Sequence, residues 1–154
     1  MTLTITCPAF SNGDPILPRH TCSGDNQSPE LEWTDLPKNT QSLVLILEDP
    51  DAPGGTFHHW LLYDIDPALG RLPAALPKSP LISGIGRQGM NSFGRIGYDG
   101  PCPPPGRQHR YYLHLYALGH ILGIKAGMNA REVENAMQGD LLAQADTFGV
   151  FKRG

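Results

Sequence analysis

The 154-residue chain has little charge, few cysteines and no long apolar run. Only 18% of its residues are Asp, Glu, Lys or Arg, and its formal net charge is −3. Because no basic cluster is present, the sequence lacks the electrostatic signature of a nucleic-acid-binding protein. No stretch approaches the 18 or so consecutive apolar residues that a membrane-spanning helix needs, so we expect no integral membrane segment.

The N-terminal sequence MTLTITC has neither a basic stretch nor an extended apolar stretch. A signal peptide contains both, and we therefore expect a cytoplasmic protein. The three cysteines, Cys7, Cys22 and Cys102, form an odd set without C-x-x-C spacing. We predict reduced thiols rather than a disulfide framework or a four-cysteine zinc site. The sequence leaves open whether Cys102, which lies in a candidate binding loop, is redox-active.

Glycine and proline are abundant, with 18 and 15 residues, and they separate short apolar runs without a repeating period. This pattern predicts one mostly β domain over residues 1–154, with long ordered loops. The expected strands cover residues 3–6, 43–47, 57–65, 110–118 and 141–151. Residues 11–37 are expected to be irregular. Residues 66–108 are expected to form the rim of a pocket and to hold short strands near 81–83.

One helix is predicted near residue 130. Asn129 is a candidate N-cap, and Glu132 stands where it completes a capping box. Val133 and Met137 belong to an apolar stripe at helical spacing, and Gly139 follows at a position suited to a helix end. The fold class is therefore mostly β, with one or two short helices.

A first group of candidate site residues follows the apolar run at 43–47. Asp49, Asp51 and Pro53 belong to the sequence DPDAP, in which the prolines fix the backbone and end the strand. His58 and His59 begin the next predicted strand. Strict alternation places seven of its side chains on two faces, namely His59, Leu61, Tyr63 and Ile65 on one, and His58, Trp60 and Leu62 on the other.

A second group lies in GPCPPPG at residues 100–106 and in HRY at 109–111. His109 and Tyr111 are two residues apart on a predicted strand, so they point to the same side. If His59 faces them from a neighbouring strand, two imidazoles and a phenol converge. A nearby Asp49 carboxylate would orient one imidazole and favour its protonated form. Such a group can bind a phosphate or carboxylate oxygen.

These two blocks resemble those of the phosphatidylethanolamine-binding protein (PEBP) family, in its bacterial and archaeal branch of Raf-kinase-inhibitor-like proteins. The resemblance rests on several ordered motifs, which are DPDAP at 49–53, HHW at 58–60, GYDGPCPPPG at 97–106, HRY at 109–111, TCSGDNQSP at 21–29 and QGMNSFG at 88–94. It covers residues 21–118 and is expected to continue to the end of the chain.

The resemblance implies a PEBP-like β-sandwich with a small preformed anion pocket at one end. Five residues would line this pocket, namely Asp49, His59, Gly100, His109 and Tyr111. Four more would support it, namely Asp51, Pro53, His58 and Pro101. Members of the family are associated with phosphorylated head groups and with regulating kinases or serine proteases by binding.

We therefore predict a non-enzymatic binding protein for phosphate or a phosphomonoester head group, without cofactor or metal. A kinase or a serine protease is the expected class of protein partner, and a homodimer is a further expectation. One alternative is a hydrolase, metal-dependent or not, built on Asp49, Asp51, His59 and His109. Another is an inhibitor that acts through a surface loop; such a protein should tolerate substitution of His109.

Overall fold

The computed structural model describes residues 2–154, which form nine strands and one α-helix. In chain order these are β1 (Thr4–Thr6), β2 (Leu31–Thr34), β3 (Ser42–Asp49), β4 (Phe57–Ile65), β5 (Arg71–Leu72), β6 (Leu81–Ile82), β7 (Gly86–Gln88), β8 (Gln108–Leu118), α1 (Ala130–Met137) and β9 (Leu141–Lys152). Two short 3₁₀ turns cover Pro18–His20 and Pro67–Leu69. Among residues 2–154, no helix is long and apolar enough to cross a bilayer.

The strands form two sheets. The larger one has the order β6-β7-β4-β3-β8-β9, and the smaller one has the order β1-β2-β5, with antiparallel neighbours throughout. The main core lies between them and includes Trp33 and Trp60. Helix α1 covers the outer face of the larger sheet through Val133 and Met137. This arrangement confirms the predicted mostly β sandwich.

Strand β3 is central because both of its faces are covered. Leu45 and Leu47 point into the sandwich, whereas Val44 and Ile46 point toward α1. All four are at most 3% exposed. Burial of each aliphatic side chain contributes on the order of 1.5–3 kcal/mol relative to exposure. The continuous apolar run in the sequence therefore marks the strand that fixes the position of its neighbours.

The helix has the predicted cap. The Glu132 amide donates to Asn129 Oδ1 at 2.9 Å, and the Asn129 amide donates to Glu132 Oε1 at 3.2 Å. Strands near 3–6, 43–47, 57–65, 81–83, 110–118 and 141–151 are also present, most of them with bounds shifted by one or two residues. Strand β2 was not predicted within the irregular segment, because its four residues are too few to show a clear alternation.

The predicted alternation along β4 is wrong. Leu61 and Tyr63 pack on the helix side, but His59 and Ile65 lie on the opposite side of the sheet. The pairing of β3 with β4 shifts register between Leu47 and Glu48 and again between Leu43 and Leu45. Each shift places an extra residue in β4, and an extra residue reverses the facing of every side chain beyond it.

The prediction of three reduced thiols is also wrong, because Cys22 and Cys102 form a disulfide. Cys7 is free and buried. The two bonded cysteines are 80 residues apart in sequence. They meet because the Cys22 amide donates to the Pro101 carbonyl at 3.1 Å, which holds the two loops side by side. Nothing in the spacing of the cysteines indicates this contact.

Candidate functional site

A cavity of about 160 Å³ opens at one end of the sandwich. It lies there because antiparallel pairing brings the end of β3 beside the beginnings of β4 and β8. These strands contribute the side chains that could bind a ligand, and the flanking loops close the remaining sides. The lining residues are Asp49, Ala52, Pro53, Phe57, His59, Phe93, Cys102, Pro103, Pro104, His109 and Tyr111.

Asp49 and His109 form a buried pair at the base of this cavity. Asp49 Oδ2 accepts from His109 Nδ1 at 2.6 Å, and Asp49 Oδ1 accepts from the Asp51 amide at 2.8 Å. The two paired side chains are 4% and 2% exposed. The carboxylate therefore fixes both the tautomer and the orientation of the His109 ring, which leaves Nε2 for a ligand.

Strands β4 and β8 flank β3 and do not pair with each other. His59 on β4 therefore faces the pair of Asp49 and His109 from the other side of β3. His59 Nδ1 donates to the Asp99 carbonyl at 2.7 Å. Burial lowers the pKa of His59, and this effect outweighs the Asp99 carbonyl and the Asp49 charge, which favour the protonated form. The ring is thus biased toward the neutral form in the absence of a ligand.

Tyr111 brings an unsatisfied hydroxyl to the same cavity. Its ring centroid lies 5.4 Å from that of His59 and 6.3 Å from that of His109. Among residues 2–154 no group forms a hydrogen bond of acceptable geometry with this buried oxygen. Burial raises the pKa of Tyr111, and the Asp49 carboxylate raises it further through its charge and its closeness to the hydroxyl, so the hydroxyl keeps its proton. The contact with Asp49 lacks the geometry of a hydrogen bond, so the hydroxyl can still donate to an acceptor on a ligand. Leaving a buried hydroxyl unpaired costs on the order of 1–3 kcal/mol, which a ligand acceptor would offset.

Aromatic side chains that were not predicted surround His59. Phe57 and Phe93 lie with their ring centroids 4.9 and 5.6 Å from the imidazole, and 4.7 Å from each other. Phe93 is 41% exposed and stands at the mouth. In the sequence, only its place in the QGMNSFG motif of residues 88–94 could have indicated that Phe93 belongs to the site. A single exposed phenylalanine is otherwise common on protein surfaces.

The side chain of Asp99 holds in place the backbone carbonyl that accepts the hydrogen bond from His59. The Asp99 carboxylate accepts from Asn91 Nδ2 at 2.8 Å, Arg95 Nε at 3.0 Å and Asn26 Nδ2 at 3.1 Å. Burial would raise the pKa of Asp99, but these donors and Lys78 outweigh it, so the pKa lies below its ordinary value. The ionised carboxylate thus holds in place the segment that orients His59.

Not every residue predicted for the site reaches the cavity. Gly100 lies behind it, with its amide donating to Asn26 Oδ1 at 2.7 Å. A Cβ at this position would lie 1.9 Å from the His20 carbonyl oxygen, so glycine is required for packing. Pro101 is buried in the same segment, and its carbonyl accepts from Cys22. His58 points to the opposite face of the sheet, with Nε2 3.9 Å from Glu48 Oε1.

Asp51 supports the site from the rim. Its carboxylate accepts from Arg110 Nε at 2.9 Å, from Arg110 Nη2 at 2.8 Å and from the Arg110 amide at 2.9 Å. The side-chain bond to Arg110 is the main reason why the pKa of Asp51 falls to about 2. This pair connects the DPDAP loop to β8 beside His109. Pro53, in the same loop, lines the cavity.

The lining contains one carboxyl side chain, that of Asp49, and no lysine or arginine. With both imidazoles neutral, Asp49 gives the lining one negative charge; with both protonated, the lining carries one positive charge. Within residues 2–154 no group of three or more His, Cys, Asp or Glu side chains is arranged to hold a metal ion. The arrangement is thus suited to binding a small polar ligand, with histidine protonation deciding which charge it accepts.

Comparison with known proteins adds to this geometry. Residues 6–152 match the family model described as phosphatidylethanolamine-binding protein. The chain belongs to the phosphatidylethanolamine-binding protein family. Family membership confirms the resemblance seen in the motifs around Asp49 and Gly100.

Relatives from distant organisms support this assignment. A UPF0098 protein from Aquifex aeolicus is 48% identical over 147 residues, which cover 94% of this chain and 85% of that protein. Another from Methanothermobacter thermautotrophicus is 40% identical over 146 residues, which cover 95% and 96% of the two chains.

Solved structures of PEBP relatives share the whole fold. A PEBP homologue from Chlamydia trachomatis is 36% identical, with a TM-score of 0.90 and 99% of both chains covered. YbcL from Escherichia coli, described as a member of the mammalian PEBP family, is 27% identical, with a TM-score of 0.91 and full coverage of both chains. The predicted PEBP fold is therefore confirmed.

Proposed function

We propose that this PEBP protein binds a small anion, phosphate or the phosphomonoester head group of a larger molecule, in the cavity at the end of β3. The observation that carries the proposal is the buried Tyr111 hydroxyl, which lacks a partner beside two imidazoles with fixed Nδ1 protons. Tyr111 donates one hydrogen bond to the anion, and protonated Nε2 atoms of His59 and His109 donate the others. No catalytic step is assigned to these residues.

Anion binding is coupled to proton uptake. The unliganded cavity carries the negative charge of Asp49, and burial lowers the pKa of His59. A bound anion stabilises the imidazolium form of His59, so the pKa of His59 rises on binding and affinity increases as pH falls toward 5.5. Affinity that increases with pH would instead indicate a neutral or cationic ligand and would contradict the proposal.

Calorimetry with sulfate and phosphate tests this proposal. Sulfate serves as the main probe because its charge does not change between pH 5.5 and 8. The double variant His59→Ala/His109→Ala should lose at least about a hundredfold in affinity, since it removes two charge-assisted hydrogen bonds that contribute about 1.5–3 kcal/mol each. The matched control is His58→Ala/His114→Ala on the outer face of the sheet, and it should bind sulfate as the wild type does. Equal binding by both double variants would contradict the proposal.

We further propose that the same mouth engages a kinase or a serine protease and thereby regulates it. The support is the exposed Phe93 and Pro104 beside the anion site, which offer apolar contact to a protein that presents a phosphorylated residue. Inhibition that disappears in the His109→Ala variant would support this mode. Inhibition that survives would assign regulation to a surface loop instead.

A cytoplasmic location and a homodimer remain predictions. Disulfides are rare in cytosolic proteins unless they are transient, so the Cys22–Cys102 bond weighs against an ordinary reducing location. Fractionation of the native cells, with the thiols trapped at lysis, checks the location. Sedimentation of the purified chain checks the dimer.

A further inference from the structure

The Cys22–Cys102 disulfide has one cysteine at the cavity and the other at the protein surface. Cys102 lines the cavity and is half-buried, whereas Cys22 is exposed on the turn that packs against residues 100–101. One sulfur thus belongs to the wall of the binding site, and the other belongs to a surface that a second protein can reach. A change in this bond alters the wall directly.

The cavity wall at residues 102–105 depends on the disulfide because, within residues 2–154, its backbone forms no hydrogen bonds of its own. Residues 103–105 are all proline and have no amide to donate. In the described part of the chain, no backbone group of residues 102–105 forms a hydrogen bond. The nearest ties are the Cys22 amide to the Pro101 carbonyl, at 3.1 Å, and the Gly106 amide to the Arg153 carbonyl, at 2.9 Å. Between them, the disulfide is the one covalent cross-link in the described part of the chain, and only the Arg153 side chain adds a hydrogen bond, to Cys102 Sγ.

Arg153 places a cation beside both sulfurs. Its Nη1 lies 3.5 Å from Cys102 Sγ and 4.0 Å from Cys22 Sγ. Among residues 2–154 no carboxylate lies within salt-bridge distance of this guanidinium, and its buried Nε has no hydrogen-bond partner. A cation in this position stabilises a thiolate and so makes the cysteine a better leaving group.

We propose that Cys22–Cys102 is a redox-controlled clasp, reduced by a protein dithiol, that holds the wall of the anion cavity closed when oxidised and releases it when reduced. The dithiol's thiolate attacks the exposed Cys22 Sγ, forms a mixed disulfide and expels the Cys102 thiolate beside Arg153. The second thiol of the reductant then displaces Cys22. Two electrons pass to the protein cysteines, and the reductant becomes a disulfide.

Reduction weakens anion binding in two ways. The segment at 102–105 loses its anchor, so the bound geometry is populated less often. The Cys102 thiolate also places a negative charge beside the anion. This consequence rests on the proposed anion-binding function, whereas the existence and reactivity of the clasp do not.

The first test counts thiols and follows their reactivity. Full-length protein equilibrated in oxidised glutathione and alkylated in denaturant should show one reactive thiol, and three after treatment with dithiothreitol. In the reduced, folded protein, the Arg153→Gln substitution should slow alkylation of Cys102 about fivefold to tenfold. The control substitution Arg107→Gln, in the same exposed region, should change the rate less than twofold. Three thiols in the oxidised sample, or equal rates for the two variants, would overturn the clasp.

The second test measures sulfate affinity of the oxidised and reduced wild-type protein, with circular dichroism to verify that both are folded. An affinity at least tenfold lower after reduction supports the proposal, and a change below twofold overturns it. If neither form binds sulfate, the proposed function fails, and hydrogen exchange at the Cys22 and Gly106 amides decides the clasp alone. Exchange at least tenfold faster after reduction supports it, and unchanged exchange overturns it.

Discussion

The two walls of the cavity are built in different ways. The strand wall consists of Asp49, His59, His109 and Tyr111, all buried and carried by β3 or by the strands that hydrogen-bond to it. The loop wall consists of residues 52–53 and 102–104, which have few backbone hydrogen bonds and several prolines. The polar side chains thus lie on backbone that sheet pairing holds in place. The opposite wall lies on backbone that proline and the disulfide hold in place.

Removal of the disulfide should have the largest effect on stability. The Cys22→Ser/Cys102→Ser variant opens a link that spans 80 residues, so the unfolded chain gains conformational freedom. We expect the free energy of unfolding to fall by about 2–4 kcal/mol. Urea denaturation measures the loss, and reduced wild-type protein should unfold at the same midpoint as the variant. A wild-type midpoint that does not respond to reduction would show that the loop wall is anchored in another way.

The Gly100→Ala substitution tests how closely the loop wall is packed against its support. Its Cβ would lie 1.9 Å from the His20 carbonyl oxygen, so the backbone must shift. Overpacking of this kind costs about 1–3 kcal/mol, and we expect the upper part of that range because the clash is with backbone. Gly54→Ala is the control, since a Cβ there meets no atom within 4 Å. Equal unfolding midpoints for the two variants would refute the close approach at Gly100.

The Asp49→Asn substitution tests the strand wall. Its amide keeps one acceptor oxygen, so its NH₂ group faces the proton of either His109 Nδ1 or the Asp51 amide, and one hydrogen bond is lost. We expect a loss of about 1–2 kcal/mol in the free energy of unfolding. The exposed pair formed by Asp146 and His114 provides the control, because Asp146→Asn in water should change stability by less than about 0.5 kcal/mol. The idea of a rigid strand wall fails if the two substitutions have the same effect.

The Asp51→Asn substitution should have the smallest effect, and only above a certain pH. Arg110 lowers the pKa of Asp51 to about 2, below its unfolded value near 4. The pair therefore stabilises the fold above about pH 4, and this contribution disappears as pH falls toward 2. It is small because Arg110 is half-exposed. Urea midpoints of the variant and the wild type should differ slightly at pH 6, and the difference should shrink steadily as pH falls from 4 to 2. A difference that stays constant over this range would contradict this account.

Local patterns predicted most of the regular structure. The apolar run of β3, the alternating and aromatic residues of β4 and β8, and the capping box at Asn129 and Glu132 depend on interactions between residues close in sequence. Strand β2 was missed because only pairing with β1 and β5 stabilises so short a segment. Element type was therefore predictable wherever a pattern extended over several residues.

The chemistry of the candidate site was predictable from motifs, but its arrangement was not. Asp49, His109 and Tyr111 line the cavity. Spacing indicated only that His109 and Tyr111 share one side of a strand, and the position of Asp49 was implied by the family resemblance. His59 reaches the cavity only because a register shift at Leu47 and Glu48 turns it away from the face that alternation assigns to it. Gly100 was predicted to approach a ligand, but it approaches the His20 carbonyl instead. These differences arise from pairing and packing that alternation along one strand does not contain.

By itself, the sequence determined the strands that can form, the helix cap and the set of polar side chains available to one end of the sandwich. The tertiary structure decided that Cys22 meets Cys102, that a register shift turns His59 toward the cavity, and that the Tyr111 hydroxyl forms no hydrogen bond of acceptable geometry within residues 2–154. The physical reason is the range of the interactions. Helix capping and strand propensity act over a few residues, whereas register, loop contact and burial depend on segments up to 80 residues apart.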